Sequence, residues 1–287
     1  MNVRRTSRRI RLGLAAASVA VLGAGAARVV AQQPTLRLPD LHPQIPTHLA
    51  LQVSEGASPH VTLRFRSTVE NIGTGPLMIT GARSPGDASM RATQVIESAG
   101  GSDVTRRAGA LNYVGAGGHR HWHFKLFMRY ELRTADHFRV VRHGSRAGWC
   151  VRDDARTTIG TPNAGVPASP VFTGRCGHKL PGLRHLHEGL STGYEVSVAR
   201  NVSGQGLDIT TLDSGRYWLV QRVDPDHRIR QTTRADDASS LLVRIDWRRV
   251  GPNRRRVTVT PLRACPTSAR CSTGVPPGSA ASMATRR

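Results

Sequence analysis

The chain has little lysine and few acidic residues, and both shortages limit what it can be. Lysine occurs only at positions 125 and 179, so arginine supplies nearly all of the 41 basic residues, against 19 acidic ones. The arginines are scattered along the chain instead of being concentrated on one face, which argues against a nucleic-acid-binding protein. The excess of positive charge is still compatible with an anionic partner, such as a polymer of the cell envelope.

No apolar run is long enough to cross a bilayer. The longest, Leu12 to Ala27, is shorter than the roughly 20 residues that a transmembrane helix needs. It follows an arginine cluster and precedes small residues, so residues 1–31 are predicted to be a secretory signal peptide. Arg8 and Arg9 fit a twin-arginine signal, and an ordinary arginine-rich signal is the alternative. The protein is therefore expected to be exported or secreted, with no transmembrane anchor after cleavage.

The four cysteines lack CxxC spacing, which argues against a cysteine-bound metal. In an exported protein, an even number of cysteines favours disulfides. Of the three possible connectivities, we favour Cys150 with Cys176 and Cys265 with Cys271, because the second pair closes a tight loop around Pro266.

A sustained period of 3.6 residues is also missing, whereas alternation of apolar and polar residues is frequent, so β-strands are expected. The clearest predicted strands are Val61 to Val69, Tyr217 to Val223, Leu241 to Trp247 and Val257 to Leu262. Residues 157–193 are rich in Gly, Pro and Thr and are predicted to form long loops. We therefore expect an all-β fold, an antiparallel β-sandwich with long irregular loops, over residues 32–264. Residues 265–287 should form a disulfide loop and a disordered tail.

One segment, GGHRHWHFKLFMRYEL at residues 117–132, carries histidines at alternate positions. Successive side chains of a strand point to opposite faces, so His119, His121 and His123 should share one face. The opposite face would contain Trp122, Phe124, Leu126, Met128, Tyr130 and Leu132. The second set anchors the strand in the core, and the first presents three imidazoles in a row.

Three imidazoles in this arrangement predict a metal site. Residues two apart on a strand are separated by roughly 6.7 Å, and metal–nitrogen bonds are about 2 Å long. Two neighbouring rings reach one ion easily, and a third does so if the strand bends, for which Gly117 and Gly118 give the freedom. Imidazole ligands suit copper and zinc, and Cu(II) is bound more strongly. Three protein ligands leave a coordination position open, as in a reactive site.

Two further groups could contribute to this site. His185 and His187 repeat the spacing and either reach the same metal or lie on the surface. Asp153 and Asp154 either supply a general base or are turn residues that face solvent or pair with arginines.

The histidine segment resembles the copper-binding segment of the lysyl oxidase family, in which His-x-His-x-His begins such a strand. Other segments from Leu36 to Asp246 resemble that family in the same order. These are Leu38-Pro39-Asp40-Leu41, Leu63-Arg64-Phe65, Val69-Glu70-Asn71-Ile72-Gly73-Thr74, Trp149-Cys150 with Asp153, Gly189-Leu190-Ser191-Thr192-Gly193, Leu207-Asp208-Ile209-Thr210 and Gly215-Arg216-Tyr217.

The resemblance implies a secreted copper amine oxidase. Such an enzyme converts a primary amine, free or protein-bound, and O₂ into an aldehyde, ammonia and hydrogen peroxide. It would bind copper through His119, His121 and His123. The family's organic cofactor is a quinone made from one tyrosine and one lysine, and its carbonyl captures the substrate amine.

The sequence departs from the family at both cofactor positions, which are Arg146 in place of lysine and Val198 in place of tyrosine. Valine cannot become a quinone, and a guanidinium stays protonated and does not cross-link. Tyr194 and Lys179 are possible substitutes; otherwise Tyr194 packs with its hydroxyl at the surface and Lys179 is solvated. Three functions follow: a copper oxidase acting on amines or directly on O₂ or peroxide, a non-catalytic copper-binding or envelope-binding protein, and a purely structural domain.

Overall fold

The computed structural model describes residues 35–56, 58–145, 148–157, 165–251 and 254–271. The predicted signal peptide, Arg146 and residues 272–287 lie outside these ranges. The described residues form eighteen β-strands and no helix. In chain order the strands are β1 (Thr35–Arg37), β2 (Leu41–Pro43), β3 (Thr47–Val53), β4 (Val61–Asn71), β5 (Leu77–Ala82), β6 (Ser89–Ala99), β7 (Val104–Val114), β8 (His121–Lys125), β9 (Met128–Thr134), β10 (Val140–His143), β11 (Gly148–Trp149), β12 (Ala155–Arg156), β13 (His185–Leu190), β14 (Tyr194–Val198), β15 (Leu207–Asp208), β16 (Gly215–Val223), β17 (Ala238–Gly251) and β18 (Arg254–Cys265).

The strands form antiparallel sheets that pack together. A seven-stranded sheet has the order β11-β8-β7-β6-β5-β13, with β1 beside β6. A five-stranded sheet has the order β10-β9-β16-β17-β18. The third sheet, of six strands, has the order β12-β14-β4-β15, and β2 and β3 also pair with β4. The all-β, antiparallel fold predicted from the alternation is confirmed.

Alternating burial explains why these segments are strands. In β4, Val61, Leu63 and Phe65 are buried and the residues between them are partly exposed, so one face of the strand is removed from water. Phe65 meets Tyr130 of β9 edge to face, with ring centroids 5.1 Å apart, which joins the six- and five-stranded sheets. Burying a side chain of this size stabilises the fold by about 1.5 to 3 kcal/mol.

The four predicted strands correspond to β4, β16, β17 and β18. The predicted loop region 157–193 is wrong in one part, because β13 lies within it and pairs with β5 along all six of its residues. In its sequence, HLHEGL, the partly buried Leu186 lies between two exposed histidines and the last three residues are all buried, so regular alternation does not extend along the strand.

Both predicted disulfides are present. The Cα atoms are 5.7 Å apart in the Cys150–Cys176 pair and 5.6 Å apart in the Cys265–Cys271 pair. Two structural disulfides are typical of an oxidising compartment outside the cytoplasm. The described residues include no helix that could span a membrane.

Candidate metal centre

The histidine segment forms β8 together with the bend that precedes it. Trp122 and Phe124 point into the core and are 0% and 2% exposed. His121 and His123 lie on the other face of the strand, as predicted. Trp122 lies between the two histidines in the sequence and cannot leave the core without exposing its ring. Its burial therefore fixes the direction in which the two imidazoles point.

The predicted continuation of this alternation is wrong at Leu126. That residue has φ +60, in the left-handed region, so β8 ends there and β9 begins at Met128 in a different sheet. The turn places Phe127 in the core and leaves Leu126 only partly buried, and the predicted core positions resume at Met128, Tyr130 and Leu132, which are all buried. The aromatic and aliphatic face is thus divided between two sheets.

The bend before β8 brings the third imidazole to the other two. Gly117 and Gly118 have φ +64 and +80, and Arg120 has φ +48. These left-handed conformations redirect the chain, as the glycines predicted. A Cβ at Gly117 would approach Ser203 Oγ to 2.5 Å, so glycine is also needed here for space. His119 Nε2 lies 3.2 Å from the Ser203 carbonyl oxygen, a contact that orients the ring.

The three rings converge. Ring centroids are 5.5 Å apart for His119 and His121, 5.0 Å for His119 and His123, and 4.7 Å for His121 and His123. One nitrogen from each ring lies within 4.8 Å of the others, and the Nε2 atoms of His121 and His123 are 2.8 Å apart. Two nitrogens bound to one ion at about 2.0 Å are about 2.8 to 3.3 Å apart for bond angles of about 90° to 110°. The group could therefore hold a metal ion after a small inward movement of His119.

A cavity opens on each side of the histidines. The first, here called the arginine cavity, has a volume of about 320 Å³ and is lined by His119 and His121. Its other lining residues include Cys150, Arg152, Asp154, Arg175, His178 and Val198. The second, here called the glycine cavity, has a volume of about 340 Å³ and is lined by His119 and His123 together with Val114, Gly117, Lys125, Gly148 and Gly204. Both cavities therefore give access to the histidines.

The structure describes one of the two positions that correspond to the quinone precursors, Val198, and does not describe the other, Arg146. Val198, at the end of β14, is 8% exposed and lines the arginine cavity beside the histidines. Arg146 lies outside the described residues. Val198 therefore lies where a side chain could meet a metal-bound molecule, although its own isopropyl group offers only apolar contact.

The possible substitutes line neither cavity. Tyr194 is 1% exposed, its hydroxyl donates to the Pro167 carbonyl oxygen at 3.3 Å, and Arg156 lies over its ring. Its hydroxyl is therefore hydrogen-bonded within the protein, and the prediction that Tyr194 packs with its hydroxyl at the surface is wrong. Lys179 is exposed, as expected for a solvated lysine. No described tyrosine or lysine lines the arginine cavity.

His185 and His187 do not join the group formed by His119, His121 and His123. His185 and His187 are exposed on β13, where they pair with β5. Within the described ranges, the group of three or more metal-ligating side chains is formed by His119, His121 and His123. The surface interpretation of the second pair is therefore the one that agrees with the structure.

The two neighbouring aspartates have separate roles. Asp153 is 7% exposed and accepts hydrogen bonds from the backbone N–H groups of Val171, Phe172 and Ser191 and from the Ser191 hydroxyl, at 2.8 to 3.1 Å. It is neither solvated nor directed at the histidines, and both predictions for it are wrong. Asp154 is exposed, pairs with Arg152 at 2.7 Å and lines the arginine cavity, so its predicted arginine partner is confirmed.

Sequence reasoning missed several contributors to the site, among them His178, which lines the arginine cavity. Arg175 lines the arginine cavity, and a signal for it existed, because its neighbour Cys176 was predicted to bond Cys150. Asn112 lies opposite His123 in the pairing of β7 with β8, and its buried Oδ1 has no hydrogen-bond partner among the described residues. No sequence pattern relates Asn112 to the histidines, because only strand register brings them together.

Glu188 of β13 gives a prediction about pH. Its carboxyl is 2% exposed and accepts one hydrogen bond, from Val151 N–H at 3.1 Å. Burial raises the pKa of this carboxyl well above 4.5, and the hydrogen bond from Val151 only partly opposes that. A group whose pKa is raised by folding stabilises least at high pH, so stability should fall as the pH rises above about 4.5.

Glu188→Gln, which stays neutral, should remove this part of the pH dependence. Between pH 5 and pH 8, the free energy of unfolding in urea should fall by about 1 kcal/mol less for the variant than for the parent protein. Glu55→Gln, at an exposed position, is the control and should follow the parent curve. Parallel curves for Glu188→Gln and the parent would contradict the prediction.

No protein-family model matches the chain, and no curated protein matches it.

Proposed function

We propose that the chain is an exported copper-binding protein that holds Cu(II) through His119, His121 and His123. The observation that carries the proposal is the convergence of the three imidazoles, two of them with Nε2 atoms 2.8 Å apart. A random set of surface histidines would not bring one nitrogen from each of three rings within 4.8 Å. Buried polar groups without a purpose are costly, and His119 and His123 are 8% and 6% exposed.

Copper is favoured over zinc by the ligand set. All three donors are neutral imidazoles, which suit both ions, and affinity rises to Cu(II) along the first-row series. When bound, copper would supply a redox-active Lewis acid with an open position. The protein's own part is to fix the rings. The buried Trp122, between His121 and His123 in the sequence, anchors the strand, and the Ser203 carbonyl oxygen contacts His119. The two cavities would admit small molecules.

The residues do not fit the quinone cofactor of the lysyl oxidase family. The position of the family's tyrosine is Val198, which lines the arginine cavity, and valine cannot be oxidised to a quinone. Tyr194, the possible substitute, is held away by its bond to Pro167. We therefore favour a copper site without a tyrosine-derived quinone, either binding copper alone or reacting with O₂ or peroxide, over quinone-dependent oxidation of primary amines.

The test is to purify the exported protein, load it with Cu(II) and measure the metal content. One copper per chain is expected, with an electron paramagnetic resonance spectrum that shows coupling to imidazole nitrogens. Treatment with phenylhydrazine should give no coloured adduct. A coloured adduct would restore the amine oxidase function, and failure to retain copper in the presence of equimolar zinc would exclude copper as the preferred ion.

A further inference from the structure

The arginine cavity has an excess of positive charge beside the histidines. Arg152 and Arg175 both line it, and Asp154 is its acidic residue. Asp154 lies 2.7 Å from the Nε of Arg152, so these two charges largely cancel. Among the described residues, no carboxylate lies within 4.0 Å of the Arg175 side chain, whose charge is therefore not neutralised by an ion pair.

The positive charge of the cavity also affects the pKa of His178. The pKa of His178 lies below its ordinary value of 6.5, because its partial burial disfavours the charged ring and because Arg175, Lys179 and Arg120 are nearby. The neutral form of the His178 ring is therefore favoured. It can hydrogen-bond a ligand without adding to the charge that the arginines already provide.

The glycine cavity differs in its lining. Its walls are mostly small or apolar, with Val114, Ala116, Gly117, Gly148 and Gly204, and its charged residue is Lys125. Lys125 and Arg175 are both exposed, so the cavities differ in the number of their cationic side chains: one lines the glycine cavity, and Arg152 and Arg175 line the arginine cavity. The two approaches to the metal site are thus chemically different.

We infer that the arginine cavity binds a small anion, of the carboxylate class, next to the metal held by the three histidines. The inference rests on the proposed copper site. Arg175 is the specificity residue: its guanidinium offers two parallel N–H donors that match a carboxylate, while the anion's other end faces the open coordination position. A cationic amine would meet the metal and Arg175 as like charges, so the cavity selects against it.

The experiment uses the copper-loaded protein and azide as the probe, with azide-to-copper charge-transfer absorption as the readout. Arg175→Gln should weaken azide binding by about tenfold, because one nearby positive charge is lost. Arg175→Lys, which keeps the charge but lacks the two parallel N–H donors, should recover most of that loss for azide and only part of it for acetate, whose binding is measured by competition with azide. Arg184→Gln, at an exposed position that lines neither cavity, should bind azide like the parent protein.

A neutral probe, imidazole, distinguishes an effect of the Arg175 charge from an effect on how easily molecules reach the copper. Its affinity for the copper should be the same in the parent protein and in Arg175→Gln. Equal azide affinity in these two proteins, with one copper bound in each, would overturn the inference and leave the copper site intact. Absence of bound copper in the parent protein would instead contradict the proposed function.

Discussion

His121→Ala is expected to raise the dissociation constant for Cu(II) by about 100-fold or more. Loss of an orienting contact around a metal ligand commonly costs 10- to 100-fold, and loss of a ligand should cost at least as much. His121 is the partly exposed member of the trio, so its truncation leaves no cavity in the core. Competition with a chromophoric chelator for Cu(II) measures the affinity, and the unfolding curve in urea checks that the variant is folded.

The control for this prediction is His187→Ala. His187 belongs to a pair with the same spacing, on an exposed face of β13, so it tests whether histidine content alone explains copper binding. The control should bind copper like the parent protein, and His123→Ala should behave like His121→Ala. If His121→Ala and His187→Ala bound copper equally well, the trio would not be the copper site.

Asp153→Ala is expected to lower the free energy of unfolding by about 3 to 5 kcal/mol. Its carboxylate accepts four hydrogen bonds, three of them from backbone N–H groups. Alanine leaves those donors without their acceptor, at about 1 to 3 kcal/mol for each one that stays buried. Val171 is 60% exposed, so water can reach its N–H and the cost falls mainly on the others. Urea unfolding of the oxidised protein measures the change.

Asp154→Ala is the matched control for Asp153→Ala. Asp154 is exposed, pairs with Arg152 and accepts one backbone hydrogen bond from Ser197. Exposed ion pairs contribute about 0 to 1 kcal/mol, so this variant should lose no more than about 1 kcal/mol. A loss for Asp153→Ala within 0.5 kcal/mol, roughly, of that for Asp154→Ala would mean that the buried hydrogen bonds contribute little net stability.

Alternation predicted the regular parts of the fold because it reports burial on one face of a strand. It identified β4 and β16 to β18, and it placed His121 and His123 opposite Trp122 and Phe124. It failed only at Leu126, where a left-handed residue buries Phe127 instead, and nothing in the pattern of large apolar residues marks that turn. It also missed β13, whose partner β5 lies about a hundred residues earlier in the chain.

The candidate site could be predicted only as far as it is local. Three ligands and the glycine bend belong to one short segment, and their spacing indicated a metal site. The cavity walls come from distant parts of the chain, Arg152, Arg175 and Val198, which meet the histidines only when the seven-stranded and six-stranded sheets and their loops pack. Asp153 shows the same limit, because its sequence neighbours gave no sign that its partners would be residues 171, 172 and 191.

The backbone N–H of Trp122, between His121 and His123 in the sequence, donates to the Cys176 carbonyl oxygen at 2.8 Å, and Cys176 is bonded to Cys150. The histidine strand is thus tied to a covalent bond that forms only where thiols are oxidised. We expect maturation to have a fixed sequence, in which oxidation of the thiols precedes acquisition of the metal. A chain whose thiols are still reduced would lack this covalent anchor beside the histidine strand.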